Sequence, residues 1–329
     1  MEAASVAPPS LRPTWRDRVR YSWSTGAVLG AAVLVYLVTV VVVPEFANSG
    51  HLADTLELAS VLGVVAVGAG LVILTAGIDL SIANVMTGVG VLASSLAASG
   101  VPSGLVIAIS LLAGALLGAA NGVGVAVLGI PALVMTLASG SVVQGVQLVA
   151  TNGTPQSASP EVLQSLANDK VLLGLTGSVV VWFALIALAA GLLVVTATGR
   201  GIYAIGTNPR AAELSGVPVR RVTIIAYALS GLTAAIGGLL LLGYTGIASS
   251  TMGDAYLLPA IAAVVLGGTS ILGGRGTALG VAFGVFLLTV IQSLLTVLNV
   301  SEAGREMLQG AILLAVVILY NLRANGGRR

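Results

Sequence analysis

Asp79 is the residue whose type and setting most suggest chemistry. It stands in "LTAGIDLS", residues 74–81, within an apolar stretch, and no other acid lies near the interior of such a stretch. A carboxylate there can hold a proton or a cation, or it can accept the orphan N–H groups at a helix start. Ser81 can do only the second. Uncharged polar residues recur along the other apolar runs: Asn121, Thr136, Ser139, Ser141, Gln144, Gln147, Thr233, Thr289, Gln292 and Ser293. Gln144 and Gln147, at i and i+3, share a helix face. Such groups can hold a hydroxylated solute weakly enough to release it, and they can equally bond one helix to another. Asp79, Ser81, Asn84, Asn121, Thr136, Gln144 and Gln147 are therefore candidates for a pathway or gate. Enzyme chemistry lacks its parts, because there is no cysteine, a single histidine (His51) and no clustered acid pair. No catalytic or metal-ligating residue is expected. No GxxxxGK[ST] loop exists, and Lys170 is the only lysine, so nucleotide is not expected to bind this chain.

The elements that position these residues must be built for lipid. Hydrophobic residues make up 57% of the chain and charged residues 8%, with mean hydropathy +1.06. Soluble domains carry about a quarter charged residues. Windows long enough to cross a bilayer lie near 27–43, 56–75, 81–98, 104–127, 132–150, 174–197, 222–243, 257–272, 277–298 and 307–322. These runs are apolar on every face, unlike the alternating strands of a membrane barrel. The expectation is an all-α polytopic membrane protein of about ten spans. It divides into an N-terminal segment 1–26, one transmembrane domain 27–322 and a tail 323–329. Gly114, Gly118 and Gly122 recur every four residues, as do Gly276, Gly280 and Gly284, so each set predicts a smooth face for close helix packing. Their placement in opposite halves suggests a duplicated architecture.

Charge sets the sidedness. With an uncleaved first span and both termini in the cytoplasm, every basic residue except Lys170 and Arg305 falls inside: Arg12, Arg16, Arg18 and Arg20, the arginines of 198–221, Arg275 and the tail. Acids such as Glu45, Asp54, Glu161, Asp169, Asp254 and Glu302 fall outside. That asymmetry obeys the positive-inside rule, and losing one span would spoil it. The net charge of +2 gives no argument for nucleic acid. Residues 151–173 form the main outer loop.

The main inner loop, 198–221, contains "GRGIYAIGTNPRAAELSGVPVRR". Asn208 is a good N-cap and Pro209 suits the first helical position. Arg210, Ala211, Ala212, Glu213, Leu214 and Ser215 follow, and Gly216 is placed to end the helix before Pro218. About two turns of helix are thus encoded across the cytoplasmic face, either as a docking surface or as a solvated connection.

This segment resembles the coupling segment of ATP-binding-cassette importer permeases for ribose, xylose and galactose, within the superfamily of branched-chain amino acid and sugar permeases. "LTAGIDLS" is similar to that family's GGIDLS signature, with Ala76 in place of the usual first glycine. "GIPALVMTLAS" (129–139) and "LGGTSILGGRGTALG" (266–280) resemble two further family segments, and the four occur in family order. Ala83 and Asn84 stand where members often have a small pair. The resemblance implies a permease subunit that is not itself an enzyme and works as a homodimer in the bacterial inner membrane. ATP and magnesium would be bound by a partner ATPase docking at 208–216, and a soluble solute-binding protein would meet the outer loops. The expected cargo is a monosaccharide, with autoinducer-like furanoses, nucleosides and branched-chain amino acids as alternatives. An ion-coupled secondary transporter using Asp79 is the competing reading.

Within the chain itself, Gly77 is expected to close the second span and Asp79 or Ser81 to cap the third.

Overall fold

A computed structural model describes residues 15–172, 174–311 and 314 of the chain. It is built from α1 (Trp15–Val42), α2 (Ser49–Leu74), α3 (Ile82–Ala98), α4 (Ser103–Ala126), α5 (Ala132–Thr151), α6 (Glu161–Asn168) and α7 (Gly177–Val195), followed by α8 (Ala197–Thr207), α9 (Pro209–Leu214), α10 (Val219–Thr245), α11 (Asp254–Leu266) and α12 (Ala278–Val297). A further helical stretch begins at 302. The expected tenth span, 307–322, lies mostly outside the described residues, as do the tail and residues 1–14.

Six of these helices are long and apolar enough to cross a membrane, and Gly26–Val42, Ile82–Ala98 and Asp254–Leu266 are shorter apolar helices. The chain is a polytopic, helical membrane protein. Its centre is α2, where 83% of the most apolar window is buried, against 17% for α5 at the periphery. α10 crosses this centre and packs most extensively on α4. Gly114, Gly118 and Gly122 make that approach possible. A Cβ on Gly118 would strike the Tyr227 carbonyl, and one on Gly122 would lie 2.7 Å from Ile224 Cα. Gly231 of α10 answers from the other side against Gly114 and Gly118.

Four expectations change. The first helix begins at Trp15, so Arg16, Arg18 and Arg20 lie on it rather than before it. The window 257–272 is a helix only to Leu266, because Gly267 ends it, Gly268 is left-handed (φ 84) and a turn from Ser270 to Arg275 follows. Gly280 and Gly284 do pack on Gly267 and Ala263, but Gly276 precedes α12 at φ 151, so that ladder has two helical members and not three. The inner loop is largely helical, since α8 precedes α9.

The outer loop is also structured. α6 buries Leu163 and Ala167, and its Asn168 donates to the Gly243 carbonyl at 3.2 Å. Two short strands, β1 (Lys170–Leu172) and β2 (Leu175–Thr176), pair antiparallel beside it. Gln156 and Ala248 exchange backbone hydrogen bonds of 2.9 and 2.8 Å, tying the loop to the segment after α10.

Candidate functional site

α2 closes one residue earlier than its glycine suggests. Thr75 is the C-cap, Ala76 takes the left-handed conformation (φ 62), and the N–H groups of Ala76 and Gly77 donate to the carbonyls of Ile73 and Val72. This is a Schellman closure, and its left-handed position is normally glycine. Ala76 fills it here at a steric cost. Gly77 is small for a different reason: a Cβ there would lie 2.7 Å from the Tyr227 hydroxyl.

Asp79 then links the junction to α10. Its Oδ1 accepts the Ser81 N–H at 3.0 Å and the Ser81 hydroxyl at 2.6 Å, while Oδ2 accepts the Ser230 hydroxyl at 2.8 Å. The side chain is buried, and the one ion pair among the described residues is Arg210–Glu213, far along the chain. Three donors therefore stand in for a cation, which is how a carboxylate is tolerated out of water. Ser81 occupies the N-cap position of α3 but makes no side-chain cap bond. The expected helix cap is thus an Asx-type turn just before the helix, joined to a partner from the other half of the chain.

Other candidates gather on the same junction. Asn121 of α4 donates from Nδ2 to Ser81 Oγ at 2.8 Å, and Thr136 Oγ1 of α5 accepts the Leu80 N–H at 3.1 Å. The Tyr227 hydroxyl donates to the Ile78 carbonyl at 3.3 Å. Asn84 is half-buried against Gly140, where a Cβ would meet its Nδ2 at 2.7 Å. Gln147 lies elsewhere: its Nε2 donates to the Ser250 carbonyl at 3.2 Å. Gln144 is half-buried one turn before it. Ser230 and Tyr227 escaped sequence reading, because nothing in a helix sequence signals a partner some 150 positions away.

The inner helices reach the junction too. Asn208 accepts the Ala211 N–H at 3.0 Å, with Pro209 at the first helical position. Gly216 (φ 82) ends α9, with Gly216 N–H donating to Glu213 and Val217 N–H to Ala212. Ala212 is buried, while Arg210, Glu213 and Leu214 point outward and Leu214 is 76% exposed. Behind α9, α8 is wedged against the 267–277 segment. The Tyr203 hydroxyl donates to the Gly276 carbonyl at 2.8 Å, and Gly274 N–H donates to the Leu74 carbonyl at 2.9 Å. A Cβ on Gly206 would collide with both Leu74 O and Gly274 N. The four sequence segments singled out above thus meet around residues 74–84.

Residues 51–317 match the family described as branched-chain amino acid transport system / permease component. The chain belongs to this permease family. Among similar proteins, the ribose import permease protein RbsC of Haemophilus influenzae is 33% identical over 295 residues, covering 88% of this chain and 91% of the relative. The probable ABC transporter permease protein y4mJ of Sinorhizobium fredii is 34% identical over 293 residues, 89% and 88% of the two chains. The autoinducer 2 import system permease protein LsrC of Escherichia coli is 35% identical over 290 residues, 87% and 84%. No solved structure matches the permease. The segments that converge on the junction, and α9 with them, all lie inside the matched region.

Proposed function

We propose that this permease is the membrane subunit of an ATP-binding-cassette importer that carries a monosaccharide across the bacterial cytoplasmic membrane. The observation that carries the reading is α9: a short helix with its own start and stop signals, exposed on its outer face and tied through α8 to the Asp79 junction. A bland connection needs neither the caps nor the exposed Leu214. The relatives named for ribose and autoinducer 2 import support a hydroxylated cargo.

In this account the chain crosses the membrane ten times with both termini inside, in two pseudo-repeated halves. α9 faces the cytoplasm and receives the partner ATPase, which binds ATP and magnesium. The outer loop 151–173 faces a soluble binding protein, and two copies of the permease flank the pathway. The ion-coupled alternative loses support at Asp79, whose two oxygens are already engaged by Ser81 and Ser230.

The test is uptake of labelled ribose into proteoliposomes holding the permease, a candidate partner ATPase and a candidate solute-binding protein. The expected result is uptake that requires ATP inside the cytoplasmic face. Uptake driven by a sodium or proton gradient in the absence of the ATPase would overturn the proposal.

A further inference from the structure

α9 is too small to hold an ATPase by itself. It has six residues, of which Ala212 is buried, whereas a stable protein interface takes about 20–30 residues and roughly 800 Å² from each partner. Other parts of the same face must contribute. The turn from Ser270 to Arg275, between α11 and α12, is the neighbouring feature. It holds its shape through its own backbone: Ser270 N–H donates to the Arg275 carbonyl at 2.8 Å, and Gly273 N–H to the Ser270 carbonyl at 2.9 Å. Gly273 (φ 80) and Gly274 (φ 70) are left-handed, and a Cβ on Gly273 would lie 2.6 Å from the Ala76 nitrogen. One side of the turn is thus pinned to the end of α2, where Gly274 N–H also meets the Leu74 carbonyl.

The other side is bare. Leu272 is 67% exposed, and Arg275 is exposed with no ion-pair partner among the described residues. Side chains held out on a turn that is already ordered lose little freedom when a partner covers them. The turn also adjoins α9. A Cβ on Gly274 would lie 2.6 Å from Thr207 Oγ1, and Thr207 directly precedes the cap Asn208. Leu214 stands about 9 Å along the helix from that cap, and Leu272 at most about 7 Å of chain from Gly274. The two leucines therefore lie within roughly 25 Å of each other, inside the roughly 30 Å span of one standard interface. Charge narrows the occupant. Arg200, Arg210, Arg220, Arg221 and Arg275 are exposed, and Glu213 is the only acid within 197–221 and 267–277. A second copy of this face would be repelled, whereas an acid-rimmed protein surface is complementary. Anionic lipid suits the arginines as well, but the turn sits at the end of α2, the most buried of the six long helices, and not at the periphery with α5.

We propose that Leu272 and Arg275 form a second contact for the partner ATPase, with Leu272 entering an apolar recess and Arg275 meeting an acidic group at its rim. The contact rests on the importer reading and adds to it a second point of attachment. Displacement of the turn acts directly on the end of α2, five residues before Asp79, whereas α9 reaches that junction through α8.

The chain contains no cysteine, so Leu272→Cys and Leu214→Cys each supply a sole thiol. Inside-out membrane vesicles holding either permease are labelled with a charged, membrane-impermeant maleimide, with a candidate partner ATPase or with serum albumin as the inert control. The expected result is that both thiols react beside albumin and that the ATPase slows each reaction threefold or more. Arg275→Glu changes a side chain that takes no part in holding the turn, and it should weaken ATPase binding tenfold or more at low salt and by less at high salt. Protection of Leu214→Cys without Leu272→Cys overturns the second contact and leaves the α9 reading standing. Protection of Leu272→Cys alone supports the second contact and removes α9 from the interface, and protection of neither overturns both. A Leu272→Cys thiol that stays unreactive beside albumin lies in lipid, which also overturns the contact. Unchanged affinity in Arg275→Glu overturns the pairing with an acid.

Discussion

Replacing Asp79 separates its two roles, the charge and the hydrogen-bond acceptor. In Asp79→Asn the remaining carbonyl oxygen still accepts from the Ser81 N–H and hydroxyl, and the Ser230 hydroxyl can rotate to accept from the new NH2 group. All three links survive in neutral form. Bonds to a charged group contribute about 1.5–3 kcal/mol against roughly 1 for neutral ones, but the neutral side chain no longer bears the cost of a buried charge. These changes oppose each other, so the net loss should stay within about 1 kcal/mol. Asp79→Leu instead leaves three buried donors. Two are hydroxyls that can turn toward nearby backbone carbonyls, whereas the Ser81 N–H cannot move. At about 1–3 kcal/mol for the one donor left unpaired, the loss should be roughly 1–3 kcal/mol, on top of whatever the two hydroxyls fail to recover. Denaturant titration of purified protein in detergent, followed by tryptophan fluorescence, reads the difference, and uptake in vesicles reads function. Asp79→Asn should stay folded and active while Asp79→Leu assembles poorly. If both variants are equally stable, the hydrogen-bond account is wrong. If Asp79→Asn is stable but transports nothing, the charge itself is used.

Ala76→Gly should stabilise the protein by up to about 1 kcal/mol in the same titration, because a left-handed alanine costs about 1–2 kcal/mol that glycine avoids, less its greater chain entropy; uptake should be unchanged. Gly118→Ala should destabilise by about 1–3 kcal/mol through overpacking against the Tyr227 carbonyl and Gly231, read in that titration. Glu213→Arg replaces the exposed 2.8 Å ion pair with Arg210 by two like charges. The pair itself contributes little to stability, so the variant should insert normally yet lose most ATP-driven uptake when assayed with the wild-type ATPase.

Local chemistry was the legible part of this chain. Asn208, Pro209 and Gly216 specify α9 within nine residues, because caps act on their own backbone and the structure reproduces each one. The bilayer class follows from composition alone. The Gly114 ladder was readable as a face, though not as a face for α10. What stayed hidden depends on distance or depth. Asp79 looked like a cap because Ser81 is its neighbour in sequence, and its bond to Ser230 crosses 151 positions. Gly276 fitted a four-residue period, yet the backbone before α12 is not helical, and periodicity cannot see that. The contact of Gly253 with Thr87 of α3 joins segments 166 positions apart, and a hydropathy window cannot see it. Glycines 267 and 268 truncate α11 although the apolar run continues beyond them.

The central claim is that α9 is where an ATPase docks, and one cross-linking measurement tests it. Leu214→Cys places the sole thiol of the chain on the exposed side of α9. It is combined with a candidate partner ATPase carrying single surface cysteines, and a short bifunctional maleimide is applied to membranes with and without ATP. The account predicts a cross-linked product at one or a few neighbouring ATPase positions, with a yield that changes on ATP addition. A Lys170→Cys control on the opposite loop should give none. Cross-linking from Lys170→Cys, with none from Leu214→Cys, would contradict the account.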